Sequence, residues 1–226
     1  MVLAPYFTTL SVSGGKEEVK DYLLRLNRWI FALAAMLAAG VIALGQPFLV
    51  LWVSGRFVAG DWWARSDIVL LFFALAMAFR ALSSVPYQFL LGTRRLRFAT
   101  AILLLESLFL ISTGVFAVRW RGIAALALLK LVSSVALAAA FTIYSIRESG
   151  GRAGEYARQS LAPGLLTGAA TAAMAALLRS SLDLSSWPVF FFAAFLSSAA
   201  GAAAFAASAT GGDREFILRK LRSPLS

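Results

Sequence analysis

The sequence predicts an all-α fold, a polytopic bundle of about six transmembrane helices, and three observations carry that prediction. Of 226 residues, 60% are hydrophobic and only 14% charged, against roughly 45–50% and 25% in an ordinary soluble domain. The charges are bunched, so stretches such as 29–55 and 184–212 carry none and exceed the roughly 20 apolar residues that cross a hydrocarbon core. No strand-type alternation runs through them, and a segment in lipid without barrel pairing satisfies its own backbone only as a helix.

Residues 1–28 read as a cytoplasmic lead-in followed by the start of an amphipathic helix. The apolar beginning lacks a basic region and carries Pro5, which argues against a signal peptide. From Lys16 to Arg28, Val19, Leu23 and Leu26 fall on one helical face, and Asp21 and Arg25 form a favourable i,i+4 pair. The spans follow at 29–52, 68–91, 98–118, 122–144, 161–178 and 187–208. Residues 29–147 therefore hold a four-helix core, 148–160 a cytoplasmic loop, and 161–210 two further helices. Gln46-Pro47 is expected to bend the first helix or end it early, because proline lacks the donor and crowds the preceding turn. Pro86 in the second span frees a carbonyl near Leu82 and is the hinge candidate. The last two spans are rich in Ala with Gly164, Gly168, Ser197 and Gly201, which makes them thin, close-packing, peripheral helices without a site apart from Arg179 at the outer end. After Gly211-Gly212, residues 211–226 set Phe216, Ile217 and Leu221 against Arg214, Arg219, Lys220 and Arg222, an amphipathic tail for the inner leaflet. Attraction of about 1 kcal/mol per basic residue to anionic lipid accounts for such ends without a specific partner.

Lysine and arginine give the orientation, because short loops rich in them stay in the cytoplasm. One side collects Lys16, Lys20, Arg25 and Arg28, then Arg94, Arg95 and Arg97, then Arg147, Arg152 and Arg158, then the basic tail. The other holds only Arg56, Arg65, Arg119, Arg121 and Arg179. Both termini are thus expected in the cytoplasm. Trp52, Trp62, Trp63, Trp120 and Trp187 fall on the outer side and only Trp29 on the inner, an outer aromatic girdle. The formal net charge of +10 is therefore topological, and it speaks against nucleic acid, which needs one contiguous basic face.

Arg80, Glu106 and Lys130 lie inside spans. A charge at helix centre costs about 2.5–3.5 kcal/mol on insertion scales, so each should face protein or a water-filled cavity. At about 1.5 Å rise per residue, Glu106 and Lys130 differ in depth by roughly 6 Å within a core about 30 Å thick. Long side chains bridge that gap, and Glu106 can equally reach Arg80. Two readings stand open: interhelical ion pairs that fix packing, or a polar cavity in which the cations attract an anion and Glu106 supplies a counter-charge. Two cations against one carboxylate leave a positive surplus, which favours an anionic ligand.

Catalysis has no residues here. The chain has neither histidine nor cysteine, so thiol chemistry, thiolate metal sites and the commonest metal ligand are gone. No metal-ligand spacing, phosphate loop or nucleophile elbow occurs. We expect no catalytic residue, no metal and no cofactor: a membrane transporter, not an enzyme.

Leu51-Trp52-Val53-Ser54-Gly55-Arg56-Phe57 after an apolar helix, and Gly92-Thr93-Arg94-Arg95-Leu96-Arg97 between helices, resemble the Wzx-type polysaccharide-biosynthesis flippases of the MOP superfamily. Glu106-Ser107-Leu108 with Ser112, Gly122 and Ala125, Pro5 with Thr8, Thr9 and Leu10, and the ending Asp213-Arg214-Glu215 are similar to that family too. Lys130 departs from it, standing where a small or hydroxyl residue is expected. The resemblance implies a C-terminal part, or second lobe, of a transporter of twelve or fourteen helices, a half that needs its N-terminal counterpart. It implies movement of a lipid-linked oligosaccharide on polyprenyl pyrophosphate, as in O-antigen and other polysaccharide synthesis, across a bacterial inner membrane by rocking of two lobes. Membrane lipids and that cargo are the expected partners. The alternatives are a cation-coupled multidrug antiporter of the same superfamily, with acidic residues dominating its cavity, and a non-transporting membrane scaffold.

Overall fold

The computed structural model describes residues 5, 7–9, 15–53 and 55–208; the amphipathic tail expected at 211–226 lies outside them. Among the described residues there is no strand, and six helices are long and apolar enough to cross a membrane. They are α1 (Lys16–Val53), α2 (Ser66–Gly92), α3 (Leu96–Arg121), α4 (Ile123–Ser149), α5 (Ala153–Ser181) and α6 (Trp187–Ser208). This is the multi-pass bundle that the hydropathy pattern predicts.

The helices stand side by side in the order α3, α4, α2, α1, α5, α6, with α6 also touching α1. Of the two C-terminal helices, expected together at the periphery, only α6 forms an edge. The other edge is α3, where only Ala99, Gly114 and Ala117 are buried among the described residues. α3 leans on α4 and only grazes α2. Phe98 stacks on Tyr144 at 4.0 Å between ring centres, and Gly114 lets Leu126 approach to 3.3 Å of where a Cβ would stand.

Small residues bring α5 and α6 in as predicted. A Cβ on Gly164 would lie 2.3 Å from the Phe31 ring, and one on Gly201 2.1 Å from Thr171 Oγ1; real side chains do not occupy such space, so glycine sets the helix separation.

Two boundaries differ from the sequence reading. Pro47 does not end the first helix, which runs unbroken from Lys16 to Val53 and absorbs the amphipathic stretch before it. The carbonyl that Pro47 cannot serve, Ala43 O, accepts from Arg179 Nη1 at 3.3 Å, and Arg179 Nη2 donates to Gln46 Oε1 at 2.6 Å. That substitute donor satisfies the carbonyl that the proline leaves open. Residues 148–160, expected as a loop, contain only a tight turn: Gly150 takes φ 73°, Gly151 N bonds Ile146 O at 2.9 Å, and α5 starts at Ala153. The left-handed glycine closes α4 in two residues. Tyr156, buried against Leu24 and Phe31 of α1, then draws the stretch into the bundle, with a π turn at Ala157–Leu161.

The lead-in also joins the body. Phe7 is fully buried, edge-on to Tyr22 and Phe89, and Thr8 Oγ1 donates to Gly92 O at 3.1 Å. Ion pairs gather at this same end: Lys20 with Glu17 and Glu155, and Arg95 with Glu148. Trp62, Trp63, Trp120 and Arg121 meet at the opposite end. The bundle thus has a basic end and an aromatic end.

Candidate functional site

Arg80, Glu106 and Lys130 sit on three helices, α2, α3 and α4, and the fold brings all three together. Arg80 Nη1 donates to Glu106 Oε2 at 2.8 Å. Lys130 Nζ donates to the other oxygen, Oε1, at 2.7 Å. The two pairings that depth arguments leave open are therefore both made, one per carboxylate oxygen. Ser133, one turn after Lys130 on α4, adds a longer bond to Oε1 at 3.3 Å. Its spacing from Lys130 puts it on the same helical face, a signal the sequence reading overlooked.

Burial grades across the triad. The Glu106 side chain is 9% exposed, Lys130 25% and Arg80 41%. One carboxylate between two cations leaves a surplus positive charge, and Arg80 is the more exposed of the two cations. Among the described residues, the Arg80 guanidinium donates only to Glu106, through one of its five N–H groups. The rest of it borders a cavity of about 200 Å³ lined also by Ser83, Ser84, Tyr87, Leu103, Leu137 and Phe141. Ser83, Ser84 and Tyr87 lie three, four and seven positions after Arg80, so one stripe of α2 supplies the polar wall. α3 contributes Leu103 and α4 the aromatic floor. The lining holds a cation, two hydroxyls and a phenol, and no carboxylate. Ser83 Oγ and Ser84 Oγ already donate to Arg80 O and Ala81 O, each at 2.7 Å, so the donors left to meet an anion there are the remaining N–H groups of Arg80 and the Tyr87 hydroxyl.

Pro86 is buried beside this wall in an α2 that continues to Gly92. Ser145 Oγ on α4 donates to Pro86 O at 3.3 Å, tying the proline segment to the neighbouring helix.

A second polar cluster, missed in the sequence, lies nearer the basic end. Asn27 Nδ2 donates to Tyr156 Oη, Tyr156 Oη stands 3.4 Å from Thr142 Oγ1, and Ser160 Oγ donates to Leu24 O at 2.9 Å. Asn27 is fully buried. It falls in register with Val19, Leu23 and Phe31, the buried stripe of α1, and extending that stripe would have located it. Every side chain of the cluster comes from α1, α4 or α5, and it fastens those helices. At the loop before α3, Arg95 donates to Glu148 Oε1 at 3.1 and 2.7 Å, and this hydrogen bond raises the pKa of the guanidinium above its ordinary value.

Three other clefts, of about 290, 340 and 320 Å³, run along α1 between α2 and α6. Leu33, Leu37, Val41 and Met77 border them and their lining is almost wholly apolar. They suit hydrocarbon, not chemistry. No protein-family model, curated protein or solved structure matches the chain.

Proposed function

We propose that the chain is one lobe of a transporter that moves an anionic, lipid-linked cargo, an oligosaccharide on polyprenyl pyrophosphate, across the bacterial inner membrane, with both termini in the cytoplasm. The observation that carries the reading is the charge arithmetic of the triad: two cations share one carboxylate, and the half-exposed cation, with most of its N–H groups unused, borders a cavity whose lining carries no carboxylate. A pyrophosphate leaving water loses on the order of tens of kcal/mol of solvation unless charge and donors replace it, and a planar guanidinium with unused N–H groups matches phosphate geometry. The apolar clefts along α1 leave the lipid part in a hydrocarbon environment. Alternating access would come from rocking this lobe against a second one.

A cation-coupled drug antiporter fits less well, because the cavity lining carries no carboxylate. A non-transporting scaffold draws support from Glu106, which accepts from both neighbouring helices. Translocation of lipid-linked oligosaccharide in reconstituted vesicles, with a second lobe co-expressed, separates the readings. Arg80→Ala and Lys130→Ala should abolish translocation; if both variants insert and still translocate, the cationic cavity is not the cargo site.

A further inference from the structure

α3 is attached to the bundle unequally on its two sides. Toward α4 it is held along its whole length, by Phe98 stacked on Tyr144, by Glu106 with Lys130 and Ser133, and by Gly114 against Leu126. Toward α2 it has little packing, and the Arg80–Glu106 bond is the strong tie. That tie stands beside the cavity, because Leu103, three residues before Glu106 on α3, forms part of the cavity wall. The group that holds α3 against α2 is thus the same guanidinium an incoming anion would meet.

Resting on the cargo reading above, we propose that Glu106 is a resident counter-anion: the phosphate of the cargo replaces it on Arg80, and the exchange releases α3 from α2. Glu106 is not stranded by the exchange, since Lys130 and Ser133 keep its Oε1. The surplus charge makes the exchange possible. After it, Arg80 pairs with the phosphate and Lys130 with Glu106, so each cation has its own anion. α3 then pivots on α4, and the Leu103 side of the cavity opens. When the phosphate leaves, Glu106 returns to Arg80 and the wall closes.

The chain contains no cysteine, so spin labels are placed at Ile42→Cys on α1 and Leu105→Cys on α3, both at exposed positions that line none of the clefts. The distance between them is measured in phosphatidylcholine nanodiscs without anion, with inorganic pyrophosphate, and with polyprenyl pyrophosphate in the bilayer. Binding of each probe is followed separately by equilibrium dialysis or by co-purification with the disc. The release predicts one short distance without anion. With either probe, the ratio of a second, longer distance to the short one rises roughly tenfold or more, the factor that one charge-assisted hydrogen bond sets. A response to both probes, or to the lipid-linked one alone, supports the exchange, and the difference tells whether the phosphate suffices or the lipid must present it. Glu106→Gln should show the longer distance without any probe; the wild-type arm stands without it if that variant fails to fold. Binding with an unchanged distance overturns the release and leaves the cargo reading intact. Failure of both probes to bind overturns the two together.

Discussion

Replacing Glu106 by glutamine keeps the length and shape of the side chain but leaves Lys130 and Arg80 with no carboxylate between them. Removing one partner of a buried ion pair costs about 3–5 kcal/mol, because the other charge stays buried without compensation. Lys130, 25% exposed, bears most of that loss, while Arg80, 41% exposed, keeps part of its solvation. The cost should therefore fall toward the lower end, about 3 kcal/mol. Lys130→Met alone should cost less, since Arg80 and Glu106 then neutralise each other. In the double variant the worst stranded charge is gone, and the coupling between positions 106 and 130 should come to about 1.5–3 kcal/mol, the worth of a charged hydrogen bond. The assay is reversible unfolding in mixed micelles titrated with a denaturing detergent, read by helical circular dichroism. A cost below about 1 kcal/mol for Glu106→Gln, typical of a solvent-exposed pair, or a coupling near zero, would refute the claim that the triad is an interior element.

Two further outcomes follow from the packing and a third from the distribution of basic residues. Arg179→Ala should lower stability by about 0.5–1.5 kcal/mol, the net worth of a typical hydrogen bond, and by less in a Pro47→Ala background, where a restored N–H serves Ala43 O; equal losses in both backgrounds in the same unfolding assay would show that Arg179 does not compensate for the proline. Gly201→Ala should destabilise by about 1–3 kcal/mol through overpacking, and Thr171→Ala should recover part of it, because Thr171 Oγ1 is the atom 2.1 Å from the new Cβ; thermal unfolding of the single and double variants checks this. For the orientation, Gly154→Cys at the basic end should react with a membrane-impermeant maleimide only after cells are opened, and Phe57→Cys at the aromatic end in intact cells; the reverse pattern would invert the topology.

The number of helices was legible because hydrocarbon admits few alternatives: an uncharged run of sufficient length without strand-type alternation satisfies its backbone only as a helix. The same scarcity made Arg80, Glu106 and Lys130 visible, since charges in spans must find protein, and each had few candidates within reach. Less visible was anything that depends on a partner distant in sequence. Pro47 reads locally as a helix end, and only the fold supplies Arg179, on α5, as the replacement donor. Residues 148–160 read as a loop because glycines and charges surround Tyr156, whereas burial of that one ring against α1 carries the helix on. Ser133 and Asn27 were within reach of helical periodicity. They were overlooked because a lone hydroxyl or amide in a span looks neutral until its neighbours on the same face are counted.

In the proposed cycle the Arg80 guanidinium recognises an anion on the cargo. It is tested most directly by equilibrium binding of polyprenyl pyrophosphate to the chain in phosphatidylcholine nanodiscs, comparing wild type with Arg80→Gln. The variant should bind at least roughly tenfold more weakly, the loss expected for one charged contact of about 1.4 kcal/mol, with its helical content unchanged. Equal affinity in a folded variant would contradict it.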